Sequence, residues 1–145
     1  PGQTANHLAQ NMMYLSQIRP QMVSIGPFVP QKNTPFAKSK SGSAELTLFM
    51  LGLTRVMMPD VLLSASGSFD KICKNSRELA VMAGANVLMP NLSPLNAGSR
   101  YLLYDNKVVT GEQALRSIAR LRASLESEGC FAVVDRGDHI PLQKI

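Results

Sequence analysis

The chain of 145 residues has no tryptophan, two cysteines, two histidines and few aromatic residues of any kind (6%). Each shortage removes a class of function. Cys73 and Cys130 lie far apart in sequence, give no disulfide framework and fit a reducing compartment, so a cytoplasmic location is expected. Together with His7 and His139 they match no familiar zinc-ligand spacing, and no metal ligand is assigned. No apolar run reaches the ~20 residues needed to span a bilayer, and no signal peptide opens the chain. Neither a GxGxxG fingerprint nor a P-loop is present, which weakens a nucleotide-binding reading. Charged residues make up 17% of the chain and hydrophobic ones 45%, a balance that gives one ordinary domain with a real core and not a disordered chain.

The net charge of +5 raises the question of nucleic acid. The basic residues, Lys38, Lys40, Lys71, Lys74, Arg116, Arg120 and Arg122 among them, are scattered over separate segments without interleaved aromatics. That is a solvated surface, and no nucleic-acid partner is expected. The first residue is Pro1, and PGQT reads like the inside of a loop, so the chain is expected to be a fragment.

Helical and strand signals alternate. Thr4 is placed to cap a helix to about Ile18, ended by Pro20. Met22 to Ile25 reads as a strand running into IGPFVPQKNTPF, a loop stiffened by three prolines. Ser43 or Ser41 caps a second helix, from about Glu45 to Met58, whose apolar residues surround it and should bury it on more than one side. Val61 to Ala65 is a second strand, followed by the loop Ser64 to Ser68. A helix from Ser76 to Ala83, stopped by Gly84, leads to a third strand, Asn86 to Met89. Thr110 and Gln113 have capping-box spacing for a long helix to Glu128 with an inner stripe of Leu115, Ile118, Leu121 and Leu125. Gly129 ends it, and Phe131 to Val134 reads as a last short strand before a polar tail, whose run Asp135 to His139 reads as a solvated turn.

Apolar strands separated by helices imply an α/β fold with a helix-covered parallel sheet, either an open doubly wound sheet or part of a (β/α)8 barrel. In either case the loops after the strands, GPFVPQKNTPF, SASGSF and MPNLSP, should converge on one rim. That rim offers apolar groups, the hydroxyls of Ser66 and Ser68 and the amide of Asn91, but no paired carboxylates, His or Cys. It is suited to binding a flat, partly apolar ligand and shielding it from water, with the reactive group supplied by a cofactor or by other sequence. No catalytic residue is assigned within the chain.

The blocks MVSIGPFVPQKNTPF, ELTLFMLGLTRVMMPDVLL, RELAVMAGANVLMPNLSP and YLLYDNK, in one collinear register, resemble the C-terminal part of the HydE family of FeFe-hydrogenase maturases. These are radical S-adenosylmethionine (SAM) enzymes similar to biotin synthase. Single blocks such as LTRVMMPD or MAGAN would also suit biotin synthase or methylornithine synthase, which stand as alternatives. A non-catalytic half-barrel acting as a binding or assembly module is an alternative of another class.

The resemblance implies a partial (β/α)8 TIM barrel, with residues 1–110 as its C-terminal part, including the start of the biotin and thiamin synthesis associated region. Residues 111–145 are then the last barrel helix and a C-terminal extension. It implies SAM and a 4Fe-4S cluster as cofactors. The cluster's CxxxCxxC triad is absent here and belongs to the N-terminal half of the barrel, so the fragment alone is expected to be inactive. By the same resemblance Pro27 and Val29 lie along the SAM adenosine, and Met22, Ser66, Met89, Tyr101 and Tyr104 line the substrate cavity. Ser66 falls on the first of two adjacent threonines, and Gly67 replaces the second. The implied substrate is a small cysteine-ligated iron carbonyl cyanide complex. The implied partners are the missing half of the barrel and the other hydrogenase maturases.

Overall fold

Thr4 opens the first helix with a capping box: its side chain accepts from the His7 amide, and the His7 ring accepts from the Thr4 amide. In the computed structural model, which describes residues 1–89 and 111–139, this helix α1 spans Ala5–Ile18 and ends on Arg19 in a left-handed conformation. Strand β1 follows (Met22–Ile25), then helix α2 (Ala44–Met57), capped by Ser43, whose hydroxyl accepts from the Leu46 amide at 3.2 Å. Strand β2 is Leu62–Ala65, helix α3 is Phe69–Ile72, helix α4 is Ser76–Met82 and helix α5 is Gly111–Ser127.

The chain divides into two compact units, residues 1–88 with 135–145, and residues 89–134. In the first, β1 and β2 pair in parallel, with Met22 opposite Leu62, Val23 opposite Leu63, Ser24 opposite Ser64 and Ile25 opposite Ala65. Val87 forms a single parallel bridge to Ser64 on the other side of β2. The Asn86 side chain accepts from the Leu63 amide at 2.8 Å, and the Asn86 and Val87 amides both donate to the Leu63 carbonyl. The expected third strand, Asn86 to Met89, is therefore reduced to this bridge.

Alternation along the strands sorts their two faces. Val23 and Leu63 belong to the core with Leu51 of α2, Phe69 of α3 and Ala80 of α4, and Ile25 and Ala65 pack against it. Met22, Ser24, Leu62 and Ser64 form the opposite face. Helix α2 departs from the sequence expectation, because only one of its sides is buried. Its buried residues are Thr47, Leu51 and Thr54, whereas Phe49 and Val56 are 64% and 79% exposed.

Arg55 ties the amino-terminal end of β2 to its surroundings. Its Nε donates to the Gly84 carbonyl at 2.8 Å, and Nη1 donates to the carbonyls of Pro59 at 2.7 Å and Val61 at 2.9 Å. These include carbonyls just past the end of α2, which the helix cannot satisfy itself. Burial holds the guanidinium below the usual arginine range, with Asp60 pulling the other way.

In the second unit, α5 ends with the Cys130 amide donating to the Leu125 carbonyl at 2.8 Å and Gly129 at φ +76, a left-handed stop. Leu125 is buried and Ile118 and Leu121 are half-buried, while the Thr110 cap lies outside the described residues. Phe131 to Val134, expected as a strand, is not one: it has no ladder partner among the described residues, and Phe131, Val133 and Val134 are all exposed. The tail of the first unit turns at Gly137 (φ +77), where the Arg136 guanidinium pairs with Asp138.

Candidate functional site

The segment after β1 is folded upon itself. The Gly42 amide donates to the Phe28 carbonyl at 2.8 Å, joining the ends of the loop just before α2. Inside it, the Thr34 amide and hydroxyl both donate to the Gln31 carbonyl, and Phe28 meets Phe36 edge-on with centroids 6.2 Å apart. A loop closed at its ends and packed on its own side chains is a built surface. Pro27 at its start is buried and Val29 half-buried, and Val29 takes part in none of the loop's backbone hydrogen bonds.

The segment after β2 meets it. The Ser66 amide donates to the Ile25 carbonyl at 2.8 Å, carrying the ladder past the end of both strands. Ser66 and Ser68 share a hydrogen bond of 2.6 Å. A Cβ placed on Gly26 would lie 2.7 Å from the Ser66 Cβ and 2.8 Å from the Ser68 Oγ, so only glycine lets the two segments approach this closely. The rim at the carboxyl ends of β1 and β2 therefore carries Pro27, Val29, Ser66 and Ser68, the position where α/β folds hold ligands.

The structure brings Pro27, Val29 and Ser66 to that rim. Met22 lies lower, on the sheet face away from the helices, and is 42% exposed. Met89 is 58% exposed and belongs to the second unit. Tyr101, Tyr104 and Asn91 lie outside the described residues. Two residues escaped the sequence reading: Ser24 and Ser64, paired across the strands on the face of Met22. Ser64 is fully buried and its Oγ has no hydrogen-bond partner. The signal was there in MVSI and LLSA, where Ser24 and Ser64 each stand two residues from the first member of their strand face, but seeing it required the register.

Two cysteines are too few to supply the thiolates of an iron–sulfur cluster. Cys73 donates its thiol to the Lys74 carbonyl at 3.2 Å, and Cys130 is likewise a free thiol. Among the described residues no three His, Cys, Asp or Glu side chains gather into a metal site. The rim can face a flat, partly apolar group, since Pro27 and Val29 offer an apolar edge and, among the described residues, Val29 makes no backbone hydrogen bond. Among the described residues no helix is long and apolar enough to cross a membrane.

No protein-family profile matches the chain. Compared with curated proteins, it is 36% identical over 129 residues to the [FeFe] hydrogenase maturase subunit HydE of Thermotoga maritima. The chain resembles HydE. The aligned residues make up 89% of this chain and 37% of HydE, so the chain spans well under half the length of its relative. Identity of this extent agrees with the resemblance carried by the blocks around the first loop, α2 and α4.

Proposed function

We propose that the chain is the C-terminal segment of a radical SAM maturase of the HydE kind, acting in assembly of the di-iron subcluster of FeFe hydrogenase. The observation that carries the reading is the 36% identity to HydE extending over 89% of the chain. The closed loop after β1 and its close approach to Ser66 and Ser68 support it, because a ligand held there would have rigid walls on two sides.

In this reading the segment has three tasks. Pro27 and Val29 lie along the adenosine of SAM, which supplies an adenosyl radical when bound. Met22, Ser66, Met89, Tyr101 and Tyr104 line the cavity for a cysteine-ligated iron carbonyl cyanide complex. The rim excludes water, which would otherwise quench or divert a reactive intermediate. The cluster ligands are supplied by the N-terminal half of the same barrel; residues 1–110 are its C-terminal part, and 111–145 its last helix and a C-terminal extension. A cytoplasmic setting and the other maturases as partners belong to the same reading. No observation favours biotin synthase, methylornithine synthase or a non-catalytic half-barrel over it.

The test uses the full-length protein that carries this chain. It should cleave SAM to 5′-deoxyadenosine under reducing conditions and support activation of FeFe hydrogenase, and Met89→Asp should lower activation without lowering the melting temperature. SAM cleavage without hydrogenase activation would move the assignment to another radical SAM activity. Absence of both would remove it altogether.

A further inference from the structure

Between Ser66 and Phe69 the chain turns from β2 into α3, and the backbone is fixed on both sides of the turn. The Ser66 amide donates to the Ile25 carbonyl at 2.8 Å, the Phe69 amide to the Ser66 carbonyl at 3.0 Å and the Lys71 amide to the Ser68 carbonyl at 3.1 Å. Phe69 is fully buried in the core, which anchors the residue next to Ser68. Ser68 stands just before α3, where a serine hydroxyl ordinarily accepts from an amide of the helix. Here the backbone of Ser68 is already helical (φ −66, ψ −24) and its side chain makes no such bond. The hydroxyl meets the Ser66 Oγ at 2.6 Å instead.

Burial gives this contact a direction. Two hydroxyls bring two protons to one hydrogen bond, so one proton is left over. Ser68 is 8% exposed, and among the described residues the Ser66 Oγ is the partner of its hydroxyl. A Ser68 proton turned away from Ser66 would be a buried donor without an acceptor, which costs more than the bond contributes. Ser68 therefore donates and Ser66 accepts. Ser66 is only half-buried, so the remaining proton, its own, is the one left for the open side of the rim. Gly26 makes room for the arrangement, since a Cβ there would fill the space that the Ser66 hydroxyl occupies. A hydroxyl that accepts one hydrogen bond is polarised to donate the next more strongly.

We propose that Ser68 is a positioning residue: it holds the Ser66 hydroxyl as a donor toward the rim, so that the ligand atom received there is a hydrogen-bond acceptor. Ser68 itself does not touch the ligand. This rests on the HydE reading, in which Ser66 lines the substrate cavity and the acceptor belongs to the small iron complex.

A double-mutant cycle on the full-length protein that carries this chain tests it, with the parent, Ser66→Ala, Ser68→Ala and both changes together. Binding of a cysteine-ligated iron carbonyl cyanide complex and the ligand-free melting temperature are measured for each. Ser66→Ala should bind the complex about tenfold more weakly, the loss of one hydrogen bond, and Ser68→Ala about threefold, the cost of leaving that donor free to turn. Once Ser66 has lost its hydroxyl, Ser68→Ala should weaken binding no further. A merely structural Ser68 would weaken binding by the same factor in both backgrounds, and that result would overturn the proposal. Unaltered affinity in Ser68→Ala or in Ser66→Ala would overturn it too, and in each of these cases the HydE reading stands. A parent protein that binds SAM but not the iron complex would overturn the proposal together with its substrate, and one that binds neither would overturn the HydE reading as well. Ser68→Ala removes no helix cap and should melt close to the parent. Should it fold poorly, Ser68→Cys carries the same cycle, because a thiol fills the space but donates only weakly.

Discussion

Gly26 decides whether the two loops can share a rim. A methyl group there would press on the Cβ of Ser66 at 2.7 Å, a contact that rotating the serine hydroxyl cannot relieve. The strands would have to separate at their carboxyl ends. Gly26→Ala should therefore cost about 1–3 kcal/mol of stability and weaken SAM binding, as read by thermal melting and by ligand titration of the full-length protein. Unaltered binding would mean that the rim does not touch the cofactor. Arg55 does comparable work at the other end of β2, where four carbonyls, those of Gly84, Met58, Pro59 and Val61, converge on one guanidinium. Arg55→Ala should destabilise by about 2–4 kcal/mol in urea unfolding, because hydrogen bonds to a charged donor are each stronger than neutral ones. Arg55→Lys should recover only part of this, since one ammonium cannot reproduce the planar fork. Burial lowers its pKa and Asp60 opposes that, but an arginine guanidinium stays charged in proteins, so this clamp should show no pH dependence across the physiological range.

At the scale of elements, what was legible in the sequence was local. Thr4 and Ser43 announce α1 and α2, and both accept the expected amide hydrogen bonds. The β1 segment Met22–Ile25 has the bounds read from its apolar run, and β2 differs by one residue. What was not legible depended on distant partners. Phe131 to Val134 has the composition of a strand, but a strand exists only where another backbone accepts its hydrogen bonds. The four-residue α3 is shorter than any hydrophobic period can reveal. Helix α2 misleads in an instructive way. Its buried side carries Thr47 and Thr54, whose hydroxyls donate back to the Ser43 and Met50 carbonyls at 2.8 and 2.6 Å. Bonded to their own helix, they enter the core without an unsatisfied group, and Met12 of α1 packs close enough for its Sδ to lie 3.6 Å from the Thr54 Oγ1. Apolar Phe49 and Val56 are left outside. For the candidate site, the loop compositions pointed to the rim, whereas the Ser24–Ser64 pair emerged only with the strand register.

The whole molecule is best judged by its unfinished surfaces. Among the described residues β1 pairs only with β2, so one side of β1 carries free backbone groups, and an unpaired edge is a template for another chain. Met13, Tyr14 and Ile18 of α1 are each more than half exposed, as are Phe49 and Val56 of α2. Apolar exposure on this scale marks a contact surface or a site of aggregation. The chain spans 37% of HydE, so there is ample further sequence in a protein of that kind to pair the edge of β1. The isolated chain of 145 residues should accordingly self-associate, with a sedimentation profile that shifts with concentration and an unfolding transition that is broad. In the full-length protein the same segment should melt cooperatively. A Lys substitution at Phe49 or Val56 should reduce association only where α2 contributes to it, whereas association through the β1 edge should survive both changes. A monomeric isolated chain with a single sharp transition would contradict the partial-barrel reading, because closing the edge of β1 would then need no partner at all.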